Sequence, residues 1–139
     1  MGDVHILTVA GRAWLNANDR IHWAQRAALT DSWRNLTRLA ARQAELPRFV
    51  GKVHVLAVLL FPDRRRRDPA NWYPTVKACI DGLTDHVVKV NPNYAVKVSG
   101  WLADDDASHL DGPDMRARCQ PGVRQPTLEL HITPCGDEL

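Results

Sequence analysis

The segment KVHVLAVLLF, Lys52 to Phe61, restricts the possible folds of this chain more than any other stretch. It is rich in β-branched and apolar residues, and Gly51 and Pro62 bound it at either end. A near-continuous apolar run of this length predicts a strand that is buried on both faces, in the middle of a sheet. The rest of the chain then has to supply neighbouring strands and covering helices.

Apolar periodicity and turn residues predict the other elements of this 139-residue chain. They are a strand at 4–9, a helix that Thr30 or Asp31 could cap and that Pro47 ends, a helix at 73–83, a β-hairpin at 86–98 and a last strand at 127–132. We find no internal repeat or linker, and the length fits one domain. The order of elements predicts a single α+β domain over residues 1–139, with one mixed β-sheet and two or three helices packed on it.

The composition argues against several classes of protein. No apolar run approaches the ~18 residues of a membrane helix, and the N-terminal residues lack the basic region of a signal peptide. Cys79, Cys119 and Cys135 form no CxxC pair, so we expect a reducing, cytoplasmic environment and no disulfide framework. Zinc binding is not expected, because Cys119, His131 and Cys135 lack the close spacing of zinc ligands.

A cluster of basic residues directly follows the central strand. The segment PDRRRRD, residues 62–68, which we call the arginine turn, contains four consecutive arginines and ends in Asp68. Concentrated positive charge beside one carboxylate suits a polyanion, because the arginines can hold phosphates while the aspartate lies beside the phosphate to be cleaved. A solvated basic turn is the alternative interpretation.

Positive charge is also concentrated in the N-terminal part of the chain. Residues 12–52 carry eight arginines and lysines against three acidic residues, although the net charge of the whole chain is only +2. Arg34, Arg38 and Arg42 follow one another four residues apart, which places them on one side of the first predicted helix. This stripe is either a solvated face or a surface that contacts phosphates.

Three adjacent carboxylates, Asp104, Asp105 and Asp106, form an acidic loop after the predicted hairpin. They repel one another unless a cation relieves them, and hard oxygen ligands of this kind are what Mg²⁺ or Mn²⁺ prefers. Phosphodiester hydrolysis uses such metals to activate water and to neutralise charge on the phosphate. A solvated acidic loop is the alternative.

Two residues near the second helix could also act on a nucleic acid. Lys77 could neutralise a phosphate or a leaving group, or it could be solvated or pair with Asp81 one turn further on. Trp72 lies beside the arginine turn and could stack on a base, although most tryptophans in such a chain belong to the core.

These segments together resemble the RusA family of Holliday junction resolvases, in particular its phage-type members. The resemblance rests on FPDRRRRDPAN after a hydrophobic strand, on KACIDGL in a helix and on GWLADDD, in that order, and it extends over residues 4–132. The segment NANDR at 16–20 is similar to the asparagine-rich loop after the family's first strand. Members of this family are small homodimeric, Mg²⁺-dependent endonucleases that bind four-way DNA junctions and nick two opposing strands.

The resemblance implies a role for individual residues of this chain. The implied catalytic residues are Asp68, Asp105, Asp106 and Lys77. The implied ligands of Mg²⁺, or of Mn²⁺, are Asp68, Asp104, Asp105, Asp106 and Asn71. The residues expected to bind DNA are Arg64, Arg65, Arg66, Arg67, Asn16, Asn18, Arg20 and Trp72. We therefore expect an endodeoxyribonuclease that resolves four-way junctions, in the cytoplasm of a bacterial or phage-infected cell, as a homodimer that supplies two active sites.

The chain departs from the family pattern at three places. Ala70 stands where the family has a second aspartate, the spacing between Asp68 and Lys77 is about three residues longer, and the hairpin at 86–98 is an insertion. Either the third aspartate of the acidic loop replaces the missing ligand with help from Asn71, which we favour, or the protein binds junctions without cutting them. A protein-binding module with an unrelated acidic loop is a third possibility.

Overall fold

The computed structural model describes residues 2–136, which form two helices, a four-stranded sheet and a separate two-stranded ribbon. The elements, in chain order, are β1 (His5–Ala10), α1 (Trp23–Gln43), β2 (Val53–Phe61), a 3₁₀ helix (Pro69–Trp72), α2 (Tyr73–Leu83), β3 (His86–Asn91), β4 (Tyr94–Val98), β5 (Leu110–Cys119) and β6 (Thr127–Pro134). This architecture confirms the predicted α+β class.

Strand β2 occupies an inner position of the main sheet, as its apolar sequence predicts. The strand order is β1-β6-β2-β5, with β6 antiparallel to both β1 and β2, and with β5 parallel to β2. All five residues from Ala57 to Phe61 are buried, so this half of β2 is covered on both faces. The sheet is therefore mixed, as predicted.

The core lies between the helices and one face of the sheet. In β1 and β6 buried residues alternate with more exposed ones, which is the pattern of strands with a single buried face. The buried residues of these strands are Leu7, Val9, Leu128, Leu130 and Ile132. Of the helices within residues 2–136, none combines the length and the apolar content that crossing a membrane requires.

Helix α1 begins at Trp23, so the prediction that Thr30 or Asp31 caps it is wrong. The cap is His22, whose Nδ1 accepts a hydrogen bond of 3.1 Å from the amide of Ala24. The Thr30 hydroxyl instead donates to the carbonyl of Arg26 inside the helix. The first turns of α1 are largely exposed, and Trp23 has an exposed fraction of 76 %. Because these turns bury no continuous apolar face, their sequence lacks the apolar periodicity that predicts a helix.

The structure differs from the prediction in two ways. Strand β5 is not among the predicted elements, and the prediction of a single sheet is wrong, because the hairpin forms a second sheet of its own. β5 is an edge strand that pairs only with β2, and most of its residues are exposed. Proline is tolerated at such an edge, so Pro113 does not prevent the strand, although it conceals it in the sequence. Helix α2 and the hairpin lie at the predicted positions.

The C-terminal end of α2 holds the segments that follow it. The carbonyl of Leu83 accepts hydrogen bonds from the amides of Trp101 and Leu102, which fixes the start of the acidic loop. The Arg48 guanidinium makes two hydrogen bonds, of 2.7 and 3.1 Å, to the carboxylate of Asp85, which also accepts from the amide of Gly100. The bond from Arg48 lowers the pKa of Asp85 to about 2, so this clamp at the base of the hairpin is ionic at neutral pH.

The backbones of helices α1 and α2 are in close contact at Gly82. A Cβ at this position would lie 2.6 Å from the carbonyl oxygen of Arg34 and 3.1 Å from its Cα, both of them backbone atoms. Side chains larger than hydrogen are therefore excluded unless the two helices move apart.

Gly82→Ala is expected to lower the free energy of unfolding by about 1–3 kcal/mol, because the added methyl group overpacks this contact. The loss exceeds the gain in helix propensity of roughly 1 kcal/mol that alanine normally brings. Gly51→Ala is the control, since a Cβ there meets nothing within 4 Å. Urea denaturation measures both variants, and a Gly82→Ala protein as stable as wild type would contradict the tight contact.

Candidate nucleic-acid interface and catalytic centre

The four arginines of the arginine turn differ in their surroundings. Asp63 organises the turn: its carboxylate accepts from the Arg65 amide at 3.0 Å and pairs with the Arg67 guanidinium at 2.8 Å, and these bonds lower the pKa of Asp63. Arg67 lies over the ring of Phe61, 4.1 Å from its centroid, so it packs rather than points outward. Arg64 and Arg66 are exposed and make no ion pair within residues 2–136, which leaves their charges available to a phosphate.

A groove of about 480 Å³ lies between the arginine turn and β5. Arg64, Arg65 and Arg67 line one side of it, and Arg118 of β5 lines the other, where it bonds to Glu129 at 3.0 Å. Sequence reasoning missed the contribution of β5. The alternation of Met115, Arg116, Ala117, Arg118 and Cys119 is the signal that could have revealed it.

Asp68 begins the 3₁₀ helix that follows the arginine turn. Its Oδ1 accepts a hydrogen bond of 3.1 Å from the amide of Ala70, and its carbonyl accepts from the amide of Asn71. The side chain is exposed, and its second oxygen makes no hydrogen bond to the residues described. Position 70 therefore supports the turn through its backbone, while its methyl group contributes no ligand atom.

The asparagine-rich loop at 16–20 lies against this 3₁₀ helix. The amide of Ala17 donates to the carbonyl of Asn71 at 2.7 Å. Nearby, the buried Thr75 hydroxyl accepts from the amide of Leu15 and donates to its carbonyl, both at 2.8 Å. The structure thus brings Asn16, Asn18 and Arg20 close to the segment that carries Asp68, as a single interface would require.

Trp72 is half-buried and packs edge-to-face on Phe61, with ring centroids 5.1 Å apart. It belongs to the apolar residues that pack against the core. Part of the ring surface that stacking on a base would use is therefore already covered by protein.

Lys77, Asp81 and Asp105 form a cluster on the outer side of α2, which we call the Lys77 cluster. The Lys77 ammonium donates to Asp81 one turn further on, at 2.8 Å, and to Asp105 of the acidic loop. Partial burial lowers the pKa of Lys77, but the bonds to the two carboxylates outweigh it and raise the pKa above its ordinary value. The bond from Lys77 correspondingly lowers the pKa of Asp105. Two carboxylates from separate segments thus converge on one cation.

The three aspartates of the acidic loop have different partners. Asp105 is half-buried and turns toward Lys77, and its amide donates to the Asp104 carboxylate at 2.7 Å. Asp106 accepts from Ser108 at 2.8 Å and lies 2.6 Å from Nδ1 of His109, and these bonds lower its pKa. The three aspartates therefore make different contacts, and Asp105 is the one that bonds to Lys77 of α2 among the residues described.

Lys77 and Asp105 are thus brought together, and Asp68 and Asn71 lie beside the asparagine-rich loop. No group of three or more histidine, cysteine, aspartate or glutamate side chains in the described part of the chain is arranged to hold a metal ion. Magnesium, however, usually takes one or two carboxylates and completes its shell with water and substrate phosphates. The chemistry of the donor set, two carboxylates that already converge on a cation, fits that requirement. Asp81, interpreted from the sequence as a pairing partner of Lys77, is the second carboxylate.

No protein-family model matches this sequence, and a search of curated proteins finds no relative.

Thr75→Val is expected to lower the free energy of unfolding by about 1–3 kcal/mol, because the amide and the carbonyl of buried Leu15 lose their partner. Faster hydrogen exchange of the amides of residues 15–20 should accompany this loss. Thr37→Val is the matched control: Thr37 is equally buried, but its hydroxyl donates to the Trp33 carbonyl, which the helix already satisfies. If both variants lose the same stability, Thr75 does not anchor the loop.

Proposed function

We propose that this protein is a Mg²⁺-dependent, structure-selective DNA endonuclease that resolves four-way junctions by paired symmetric nicks. The observation that carries the proposal is the Lys77 cluster, in which the acidic loop is tied to α2. The arginine turn, which would bind phosphates, is joined to the start of the same helix by the 3₁₀ helix. Such proximity is what hydrolysis of a bound phosphodiester requires.

Some residues of this site would bind DNA and others would hold the metal. Arg64 and Arg66, with the groove that Arg118 borders, would hold the DNA backbone. Asp105 would hold the metal together with Asp81, the other carboxylate of the Lys77 cluster. Asp68, Asp104, Asp106 and Asn71 are the further oxygen donors that the resemblance implies. A bound Mg²⁺ would activate water and neutralise the charge that develops on the phosphate. Lys77 would hold Asp105 in place and offset part of the negative charge of the acidic loop.

Paired nicks require two active sites, and a single chain carries one set of these residues. The proposal therefore includes a twofold-symmetric homodimer, in which each copy cuts one of two opposing strands.

A non-catalytic junction-binding protein is the second candidate, and one observation favours it. Ala70 places a methyl group where the family pattern has an aspartate that could hold the metal. Both candidates use the same basic surface, so DNA binding alone does not separate them.

Cleavage of a labelled immobile four-way junction, with a matched linear duplex beside it, tests the proposal. We expect symmetric nicks in the junction with Mg²⁺ and none with EDTA. Asp105→Asn and Asp68→Asn should each lower the rate by about 100-fold or more, because each removes a carboxylate that would hold the metal, and the metal would neutralise the charge on the phosphate. Asp111→Asn is the control, an exposed aspartate of β5 without an ion pair in the described residues.

Ala70→Asp separates the two candidates. If the wild-type protein cuts and Ala70→Asp changes the rate little, the acidic loop compensates for the missing aspartate. If the wild-type protein binds the junction with no nicks in Mg²⁺ or Mn²⁺, and Ala70→Asp alone cuts, the second candidate is correct. Absence of any salt-dependent DNA binding would contradict both.

A further inference from the structure

The hairpin formed by β3 and β4, residues 86–98, which we call the ribbon, is a two-stranded sheet separate from the main one. An isolated two-stranded hairpin is only marginally stable in water, so a ligand or partner that contacts the ribbon would stabilise it. Val87, Val90 and Tyr94 are exposed to 66, 60 and 59 %. Only its base is clamped, through Asp85 and Arg48.

The two lysines of the ribbon lie on the same face. Val87 pairs with Lys97 and Lys89 pairs with Ala95, and side chains two residues apart along a strand point to the same side. Val88 pairs with Val96, so these two valines occupy the opposite face. The ribbon contains no aspartate or glutamate, and both lysines are exposed. Its lysine face therefore carries two positive charges and no negative charge of its own.

The lysine face continues into the arginine stripe of α1. Val87, which belongs to that face, lines a cavity of about 350 Å³ together with Arg34 and Arg38, and with Asp31 and Asp81. Arg34 is offset by Asp31, 3.0 Å away, and by Asp81, 3.8 Å away. Arg38 has only the uncharged Asn35 as a side-chain hydrogen-bond partner among the described residues.

The charges of the stripe are not fully compensated. Burial, followed by the neighbouring charges of Arg34 and Arg42, lowers the pKa of Arg38. An anion that approaches like positive charges of this kind lowers their electrostatic energy.

We propose that the lysine face of the ribbon and the arginine stripe of α1 form a second DNA-binding surface, which holds the backbone of a duplex arm away from the arginine turn. The inference rests on the proposed function, since it assumes that the ligand is DNA. A two-stranded β-ribbon fits the major groove of B-form DNA, where lysines at its face reach the phosphates. The ribbon would then grip one arm while the arginine turn contacts the phosphate to be cut.

The alternative to DNA is a second copy of the chain, which would pack on the opposite, valine face of the ribbon. A stable interface buries about 800 Å² on each partner. The valine face offers Val88 and Val96, exposed to 44 and 37 %, and Val90, two residues from Val88 and exposed to 60 %. Three partly covered valines supply only a fraction of that area. The positive charges of Lys89 and Lys97 on the ribbon, and of Arg38 and Arg42 on α1, therefore favour DNA.

The salt dependence of DNA binding tests the inference. Binding of a labelled four-way junction, in EDTA to prevent cleavage, is measured by fluorescence anisotropy between 50 and 200 mM salt. Lys89→Ala with Lys97→Ala should reduce the slope of log K against log salt by about 2, so that affinity falls about tenfold less over this range. Arg64→Ala with Arg66→Ala removes the same charge from the arginine turn, and Lys52→Ala, an exposed lysine outside both surfaces, should change nothing.

Each outcome either supports or overturns the inference. A reduced slope in the ribbon variant, with Lys52→Ala unchanged, supports it. A normal slope in the ribbon variant and a reduced one in the arginine-turn variant overturns it and leaves the proposed function standing. If Val88→Asp dissociates a dimer in sedimentation velocity while the lysine variants bind normally, the ribbon joins two copies and the inference is wrong. If the wild-type protein does not bind DNA, the proposed function fails and the inference fails with it.

Discussion

At Gly82 the backbone of α2 lies against the backbone of α1, with no room for a Cβ beside the Arg34 carbonyl. This contact fixes the position of α2, and the segments around the candidate site are attached to that helix. The 3₁₀ helix with Asp68 leads into its first turn, Thr75 anchors the asparagine-rich loop, and Lys77 and the Leu83 carbonyl hold the acidic loop. The geometry of the site thus depends on packing between two helices that are distant in sequence.

Elements with a strong local pattern could be predicted from the sequence, and elements that depend on tertiary context could not. The central strand, α2 and the hairpin have apolar runs, alternation or turn residues that act over a few neighbours. The first turns of α1 are exposed and capped by His22, which is not among the usual capping residues. Strand β5 is held by its pairing with β2; Gly112 and Pro113 conceal its first half, and only the alternation in its second half indicates a strand.

The candidate site illustrates the same limit at the level of single side chains. In the sequence the three aspartates of the acidic loop are equivalent, because each is a carboxylate in an exposed loop. Their differences arise from contacts: Lys77 holds Asp105, while Ser108 and His109 hold Asp106. The pairing of Lys77 with Asp81 could be predicted, since four residues span one helical turn, whereas the contact with Asp105 joins segments 28 residues apart.

The distribution of charge explains how an acidic centre could accept a polyanion. Helix α2 has 11 residues, which corresponds to a length of about 16 Å. The arginine turn precedes its N-terminus and the ribbon follows its C-terminus, so basic segments flank the Lys77 cluster in the chain. If the proposed function is correct, these basic segments would attract the DNA backbone, and the Lys77 ammonium would reduce the repulsion between the phosphate and the carboxylates. On the same proposal, the phosphate would supply oxygen ligands to Mg²⁺, so the metal would need few carboxylates and none at position 70.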